Sequence, residues 1–530
     1  MKRLVICEKN ISARRIAHIL SNGKARQGKI YGIYYYHFDG YIIVGLRGHI
    51  KKLDFPKEYS KWNEISPWEL IKVEPVKKIV EKNIANAIRY LSKNVDEVII
   101  ATDYDREGEL IGVEIIDLLP KNIKIKRAKF SAITPNEIKK AFENLDKIDF
   151  NLAKSAEARQ YIDLIWGASL TRFISLASDQ LGKDFLSVGR VQSPTLALIV
   201  EREKQIKDFI PKNFWKIKVR MEKDGIQFDA EYPKKIFDEE KAKEIYEKVK
   251  KENAGKVIFY EKKIKQDVPP PPFDTTSFLK EASAFASSSR AMKVAEELYM
   301  NGLISYPRTD NTVYPSLPFN SILKKLEKIY PQEVREVFKM LRSKPVAGKK
   351  FSKDHPPIHP VGVAKLDGLH AKIFDLVARR FMATLSKNDV IDVRKAEIEI
   401  SGEKFVADGV LIVEKNWRKV YPVRLKEKNL PELIEGEEVR ILEVKKRKDK
   451  TNPPKRYTEG SLIVEMEKMG LGTKSTRHEI ISKLYERNYI MGKKIVPTPT
   501  AFAVVEALKK GAEMITKPDM TSHLEEEMNK

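Results

Sequence analysis

Asp96-Glu-Val-Ile-Ile-Ala-Thr102 is an apolar run that leads straight into Asp103-Tyr-Asp-Arg-Glu-Gly-Glu109, and a helical stretch then runs through Leu119. A strand that ends in an acidic turn and continues as a helix is a unit of an α/β sheet. Ligands of such sheets bind beyond the carboxyl ends of the strands. Residues 3–7, Arg-Leu-Val-Ile-Cys, read as a second buried strand that ends at Glu8, and Ser12 to Ser21 read as a helix. Thr134-Pro-Asn-Glu137 has the form of a capping box with proline at the first helical position. The expectation for residues 1–148 is an α/β domain with a mainly parallel sheet.

Further along the chain the patterning changes. Residues 150–205 read as helical, and Phe214 to Tyr232 as a hairpin around Asp224-Gly225. Four prolines, Pro269 to Pro272, interrupt the chain. Residues 275–300 follow as helix, with Met292, Ala295 and Leu298 on one face and Gly302 as the stop. Residues 368–386 are expected as helix and 391–444 as strands. A basic run, Lys445 to Lys448, and Pro453-Pro454 mark a second link. Helices over 458–469 and 475–487, with a short hairpin over Met491 to Lys494, read as a helix-turn-helix with a wing. Since proline-marked links bracket residues 273–452, part of the chain is expected to move relative to the rest.

The 530 residues carry 99 Lys+Arg against 75 Asp+Glu, a net +24. A chain this basic meets nucleic acid or an anionic membrane. No apolar stretch approaches the roughly 18 residues of a membrane span, which favours nucleic acid and a cytoplasmic, nucleoid-associated location. Cys7 is the one cysteine, which excludes an intrachain disulfide and a four-cysteine zinc site. No Gly-x-x-x-x-Gly-Lys-Ser/Thr loop occurs, which argues against an ATP-driven motor.

Asp103 and Asp105 are two apart, so in extended chain their carboxylates face one side and repel unless a cation lies between them. Mg²⁺ suits such a site, because it takes a few carboxylates together with water and phosphate oxygens. Glu8 is a candidate third oxygen ligand or proton-transfer group. Tyr306, in Gly302-Leu-Ile-Ser-Tyr-Pro-Arg-Thr-Asp310, is a candidate nucleophile. Pro307 keeps it out of helical geometry. Arg308 lies two residues on and stays cationic at any ordinary pH. A tyrosyl phosphodiester retains the energy of the cut bond, so resealing needs no ATP.

Together these segments resemble the type IA DNA topoisomerases, the bacterial and archaeal topoisomerase I and III group. The acidic run with Glu8 is similar to the Toprim motif, and Tyr306-Pro-Arg-Thr-Asp310 to the motif whose tyrosine takes the 5′ phosphate. The resemblance implies Glu8, Asp103 and Asp105 as the acidic triad, with Glu107 as a further metal ligand. It implies Lys9 at the scissile phosphate and His355, in His355-Pro-Pro-Ile-His-Pro360, near the cleavage site; Pro357 stands where the family has alanine. Ala158 to Asp163, Ser187 to Thr195 and Gly470 to Thr476 resemble further family motifs. They nominate Arg159, Arg190, Gln192, Ser193, Lys474 and Thr476 as DNA contacts, with Arg190 ahead of Arg159 for phosphate. Thr473 stands where many relatives have arginine, and Lys474 is the candidate to take over that role.

The family fold implies a toroid with a Toprim domain (1–148) and a winged-helix-like base (149–206 with 453–530). A β-rich arch (207–270 with 391–452) would lift a helical gate domain (271–390) that carries Tyr306. The implied activity is transient single-strand cleavage, strand passage and religation by a monomer that acts on single-stranded or negatively supercoiled DNA with Mg²⁺ and without ATP. A Toprim nuclease or primase and a non-catalytic clamp are rival readings; the order of Tyr306 among the other motifs favours the first. The segment from Met520 to Lys530 resembles one that continues in relatives, so further C-terminal modules and better plasmid relaxation with them are expected.

Overall fold

A computed structural model describes residues 1–180, 185–352 and 354–529. Lys530, the last residue of the C-terminal motif, lies outside them. The chain opens with β1 (Arg3–Cys7), α1 (Asn10–Leu20), β2 (Arg26–Ile30), β3 (Ile33–Phe38) and β4 (Tyr41–Gly45). A small sheet of β5 (Lys51–Asp54) and β6 (Val76–Ile79) precedes α2 (Lys82–Leu91), β7 (Glu97–Ala101), α3 (Arg106–Glu114), β8 (Lys124–Arg127) and α4 (Pro135–Glu143). The main sheet runs β2-β3-β4-β1-β7-β8. β1 lies parallel between β4 and β7, with Cys7 level with Gly45 and Ala101. This register puts Glu8 and the 102–105 turn side by side at one end of the sheet. The antiparallel β2–β3–β4 edge is not anticipated by the periodicity of the sequence. Its turns, Tyr31-Gly32 and Asp39-Gly40, have φ of 48°, 79°, 37° and 80°, the positive values that two-residue hairpins require.

The capping box expected at Thr134 does not form. Thr134 is the N-cap, but its side chain makes no capping hydrogen bond. Glu137 instead reaches past the helix end and accepts the Ser131 N–H at 2.5 Å. The carboxylate therefore orders the segment before the helix.

Next come α5 (Phe150–Ala177) and α6 (Gln192–Lys207). β9 (Asn213–Lys223), β10 (Ile226–Glu231), α7 (Glu239–Val249) and β11 (Ala254–Asp267) follow. Five helices then interrupt the strands: α8 (Thr275–Ala282), α9 (Ser288–Met300), α10 (Phe319–Leu326), α11 (Pro331–Lys339) and α12 (Gly368–Leu385). The strands resume as β12 (Asp389–Ile400), β13 (Glu403–Glu414) and β14 (Glu438–Lys450). The six strands close into a barrel in the order β10-β13-β12-β11-β14-β9. Closure leaves no unpaired sheet edge. α13 (Glu459–Lys468), α14 (Arg477–Glu486), the ribbon of β15 (Ile490–Met491) and β16 (Val496–Pro497), α15 (Pro499–Gly511) and α16 (Pro518–Asn529) complete the chain.

The barrel has its own core, built from Ile217, Val257, Ile398 and Phe405. A second apolar cluster joins Val5 and Ile99 of the sheet, Met292 and Leu298 of α9, Leu471 of the link between α13 and α14, and Ile481 of α14. The helices between β11 and β12 are thus covalently part of the barrel segment but packed against the sheet. Among the described residues, no helix is long and apolar enough to cross a membrane.

Arg127, at the end of β8, holds the acidic turn. Its side chain is fully buried and forms an ion pair with the equally buried Glu109 at 2.9 Å. It also donates to the carbonyls of Ile100, Thr102, Ala128 and Asp103. Arg127→Met leaves Glu109 charged and unpaired, a loss of about 3–5 kcal/mol. We expect hydrogen-exchange protection across β7 and α3 to collapse. Arg127→Lys should not restore it, because one ammonium cannot replace the fork of donors. An unchanged exchange profile in Arg127→Met would refute this role.

Candidate active site

β1 delivers Glu8 and Lys9, and the turn after β7 delivers Asp103 and Asp105. Asp105 is the N-cap of α3 and accepts the Gly108 N–H at 2.8 Å. Gly108 is required there, since a Cβ would collide with the Asp103 carbonyl. The strand end, the cap and Arg127 together leave the turn little freedom.

The Tyr306 segment docks onto this turn. Its backbone N–H donates to the Ser131 carbonyl at 2.8 Å. The Tyr306 hydroxyl donates to Asp105 Oδ2 at 2.6 Å, and the Tyr299 hydroxyl to Asp103 Oδ1 at 3.1 Å. Arg308 Nη2 donates to Glu296 at 2.5 Å. Lys9 Nζ lies 3.8 Å from Glu8 and 3.5 Å from Glu296. Glu8, Lys9, Asp103, Asp105, Tyr306 and Arg308 therefore meet in one place.

The electrostatics follow from burial. Burial and the neighbouring carboxylates push Asp103 well above the usual carboxyl range. Burial and Asp105 also raise Glu8, against the pull of Lys9, and Glu8 hydrogen-bonds to Asp103. The two carboxyls interact, and Glu8 disfavours the charge of Asp103. Burial also opposes the charge of Asp105, but Arg308, the Tyr306 hydroxyl and the Gly108 N–H outweigh it and hold Asp105 ionised. Burial raises the Tyr306 hydroxyl well above its ordinary pKa, and Asp105 raises it further, while Arg308 pulls it back.

His355 stands against the Tyr306 ring, with centroids 4.6 Å apart. Its Nε2 lies 2.6 Å from the Tyr104 carbonyl, which can only accept, so Nε2 carries the proton. Its Nδ1 then accepts from the Ser131 hydroxyl at 2.9 Å. Burial depresses His355 to about 4, so it is neutral. With both ring nitrogens engaged, it orients Tyr306 and does not take its proton.

Glu107 is turned to His49, at 3.3 Å, and His49 also contacts Glu114 at 3.0 Å. Burial opposes the His49 charge, but its bonds to these carboxylates outweigh it and raise His49 to about 10. Among the described residues, no group of three His, Cys, Asp or Glu side chains is arranged to hold a metal ion. The donor set still fits a hard divalent cation. It offers oxygen alone, and a cation near Glu8 and Asp103 would relieve their mutual repulsion. In this conformation the Tyr306 and Tyr299 hydroxyls donate to Asp105 and Asp103.

The residues nominated for DNA contact lie in polar seams. The structure gives the Arg190 guanidinium, fully buried, to Asp163 and Glu525, each at 2.9 Å, and not to solvent. Its Nη1 is buried without a hydrogen-bond partner. Arg159 is also buried, 3.6 Å from Asp163 and 3.2 Å from the Thr476 hydroxyl. Gln192 donates to the Ser187 carbonyl, and the Ser193 hydroxyl accepts the Gly189 N–H, so both shape their own turn. Lys474 lies between Asp310 at 3.5 Å and Asp354 at 3.8 Å.

Sequence reasoning missed Glu296, Tyr299 and Ser131. Glu296 and Tyr299 sit three apart on α9, a spacing that shares a helix face. A carboxylate and a tyrosine on one face of the helix before Tyr306 were the available signal. Ser131 carried none.

Comparison with known proteins agrees with this geometry. A Toprim domain model matches residues 3–133, and a DNA topoisomerase model matches residues 147–530. The chain is 46% identical to DNA topoisomerase 1 of Archaeoglobus fulgidus, over all of this chain and 80% of that one. It is 44% identical to DNA topoisomerase 1 of Thermoplasma acidophilum, over all of this chain and 70% of that one. The structure of full-length topoisomerase I from Thermotoga maritima superposes with a TM-score of 0.79 at 27% identity, covering 99% of this chain and 86% of that one. A Toprim domain is generally associated with divalent metal binding. With the two family models matched over residues 3–133 and 147–530, and a tyrosine docked on the Toprim carboxylates, the chain belongs to the type IA DNA topoisomerases.

Proposed function

We propose that Tyr306 is the nucleophile that cuts and reseals one DNA strand. The observation that carries this reading is the 2.6 Å hydrogen bond from its hydroxyl to Asp105, which joins the gate helices to the Toprim turn. Tyr306 Oη attacks phosphorus and passes its proton to the Asp105 carboxylate. The bond to the 3′ oxygen breaks, and the phosphate stays on tyrosine with its 5′ side. Glu8, whose burial favours its protonated form, gives a proton to the departing 3′ oxygen. The reverse sequence reseals the strand, and no step consumes ATP. Arg308 and Lys9 neutralise the phosphate, while Ser131 and His355 fix the ring and backbone of Tyr306. Glu8, Asp103 and Asp105 are the residues that would hold Mg²⁺, with Glu107 free to join them if it leaves His49. A bound cation there supplies charge neutralisation beside the phosphate.

The DNA entering this site is single-stranded or underwound, because the phenol reaches one phosphate inside a closed groove. A monomer suffices, since every residue named comes from one chain. Arg159, Arg190, Gln192, Ser193, Lys474 and Thr476 contact the strand after the carboxylates that hold the two arginines and the lysine exchange for phosphate. Between cutting and resealing, the helices between β11 and β12 swing away with the Tyr306 ester. The barrel, with its separate core, serves as the arm. A nucleoid-associated protein of the cytoplasm fits this substrate.

Tyr306→Phe is expected to abolish the covalent adduct trapped by denaturing the protein on single-stranded DNA, with binding nearly unchanged. An adduct that persists sinks the assignment.

Asp103→Asn combined with Asp105→Asn should remove Mg²⁺-stimulated relaxation of negatively supercoiled plasmid. Relaxation at the normal rate would exclude these carboxylates as the metal site.

Affinity for single strands should exceed that for fully paired linear duplex and should fall steeply with salt, as phosphate contacts release counterions. Equal affinity for both forms at moderate salt counts against the closed-groove reading.

A further inference from the structure

We infer that Glu296 is a positioning residue for cleavage, which holds Arg308 and Lys9 in place to receive the scissile phosphate. The inference rests on the active site proposed above. Glu296 lies on α9, ten residues before Tyr306 in the chain. Its side chain is 18% exposed. One oxygen takes Arg308 Nη2 at 2.5 Å, and the other lies 3.5 Å from Lys9 Nζ. The carboxylate thereby bridges the two cations that the reaction needs at the phosphate, one from the gate and one from β1. Burial disfavours its charge, but Arg308 and then Lys9 outweigh burial and keep its pKa below the ordinary range.

The second observation is what Glu296 leaves free. Arg308 Nε is buried and has no hydrogen-bond partner. A buried guanidinium donor without a partner costs free energy unless a ligand fills the gap. Nη2 is anchored, and Nε on the same edge has no protein partner, two residues from the nucleophile. An arginine anchored by a carboxylate keeps its fork aimed, so little side-chain freedom remains to be lost when a phosphate oxygen arrives. His478 of α14 interacts electrostatically with both Glu296 and Arg308, and burial holds it at about 4 and so uncharged. It therefore adds no competing cation.

The test is single-turnover cleavage of a single-stranded oligonucleotide, with DNA binding measured separately in the Tyr306→Phe background. Glu296→Ala should slow cleavage about 10- to 100-fold, the effect expected of a misplaced reacting group. DNA affinity should change by less than about threefold, because the interaction acts in the transition state. Glu296→Gln should cleave faster than Glu296→Ala but slower than the parent, since its amide oxygen still accepts from Nη2 while its amide nitrogen cannot accept from Lys9. In an Arg308→Ala background, adding Glu296→Ala should cost much less than it does in the parent, only the Lys9 contact remaining to be lost, whereas independent structural damage would multiply in full. Should the alanine variant not fold, Glu296→Asp carries the same test. It is one methylene too short to bridge and is expected to be slowed at least tenfold, to a first approximation of order. Parent-rate cleavage by Glu296→Ala, with Arg308→Ala still slow, overturns the inference alone. An undiminished further loss in the Arg308→Ala background also overturns it. Parent-rate cleavage by Arg308→Ala overturns the active site on which the inference rests.

Discussion

The hydrogen bond between the Tyr306 hydroxyl and Asp105 sets the conditions for everything around it. Burial against this carboxylate keeps the phenol neutral, so Tyr306 is held in place with its proton still on it. The carboxylate stays ionised because Arg308 and the Gly108 N–H stabilise its charge. Its position comes from deeper in the sheet. Arg127 binds the carbonyls of Thr102 and Asp103, and Glu109 returns the charge from the first turns of α3. Sheet register, buried ion pair, helix cap and tyrosine thus form one chain of contacts. Each link is needed to place the next within hydrogen-bond distance.

The helices between β11 and β12 share an apolar cluster with the sheet, and the polar contacts beside it are of a kind that water or DNA can replace. Besides Tyr306 on Asp105, they include Tyr299 on Asp103, the Tyr306 N–H on Ser131 and Lys9 near Glu296. Hydrogen bonds contribute about 0.5–1.5 kcal/mol each net of water, and about 1.5–3 kcal/mol where one partner is charged. A seam of this kind costs several such increments to open, and a bound strand offers phosphate oxygens to the same cations. The barrel core lies apart from the seam, so the arm need not unfold for the gate to move. This arrangement supports a hinge on the barrel side and a break on the sheet side.

Local patterning exposed the parts of the fold that local chemistry dictates. β1, β7 and α3 follow from apolar runs that end in charge, and the extended conformation of Tyr306 follows from Pro307. The capping box at Thr134 failed because Glu137 had a better partner in Ser131, which the tertiary fold brings within reach. Asp39-Gly40 was a readable turn signal, yet the strands beside it mix aromatic and charged residues and lack clean alternation. Arg190 looked like a phosphate ligand because its partner Glu525 lies more than three hundred residues away in sequence. The nucleophile and the acidic turn were legible as separate motifs. Their meeting, and the bridge of Glu296 between Arg308 and Lys9, depend on how α9 packs on β1, and no spacing in the chain encodes that.

A net charge of +24 does not by itself explain how an anionic strand enters a pocket lined by Glu8, Asp103, Asp105 and Glu296. The local balance does. Burial pushes Glu8 and Asp103 toward their uncharged forms, which lowers the negative charge of the pocket. Burial keeps His355 and His478 uncharged at about 4, so Arg308 and Lys9 are the cations that face the carboxylates there. Asp105 and Glu296 remain ionised beside them. In the absence of DNA, Arg308 and Lys9 are therefore offset by Asp105 and Glu296. An arriving phosphate must either displace one carboxylate or find a donor that is still open. Arg308 Nε is such a donor, which lets the phosphate join the cluster while Glu296 keeps its hold on Nη2.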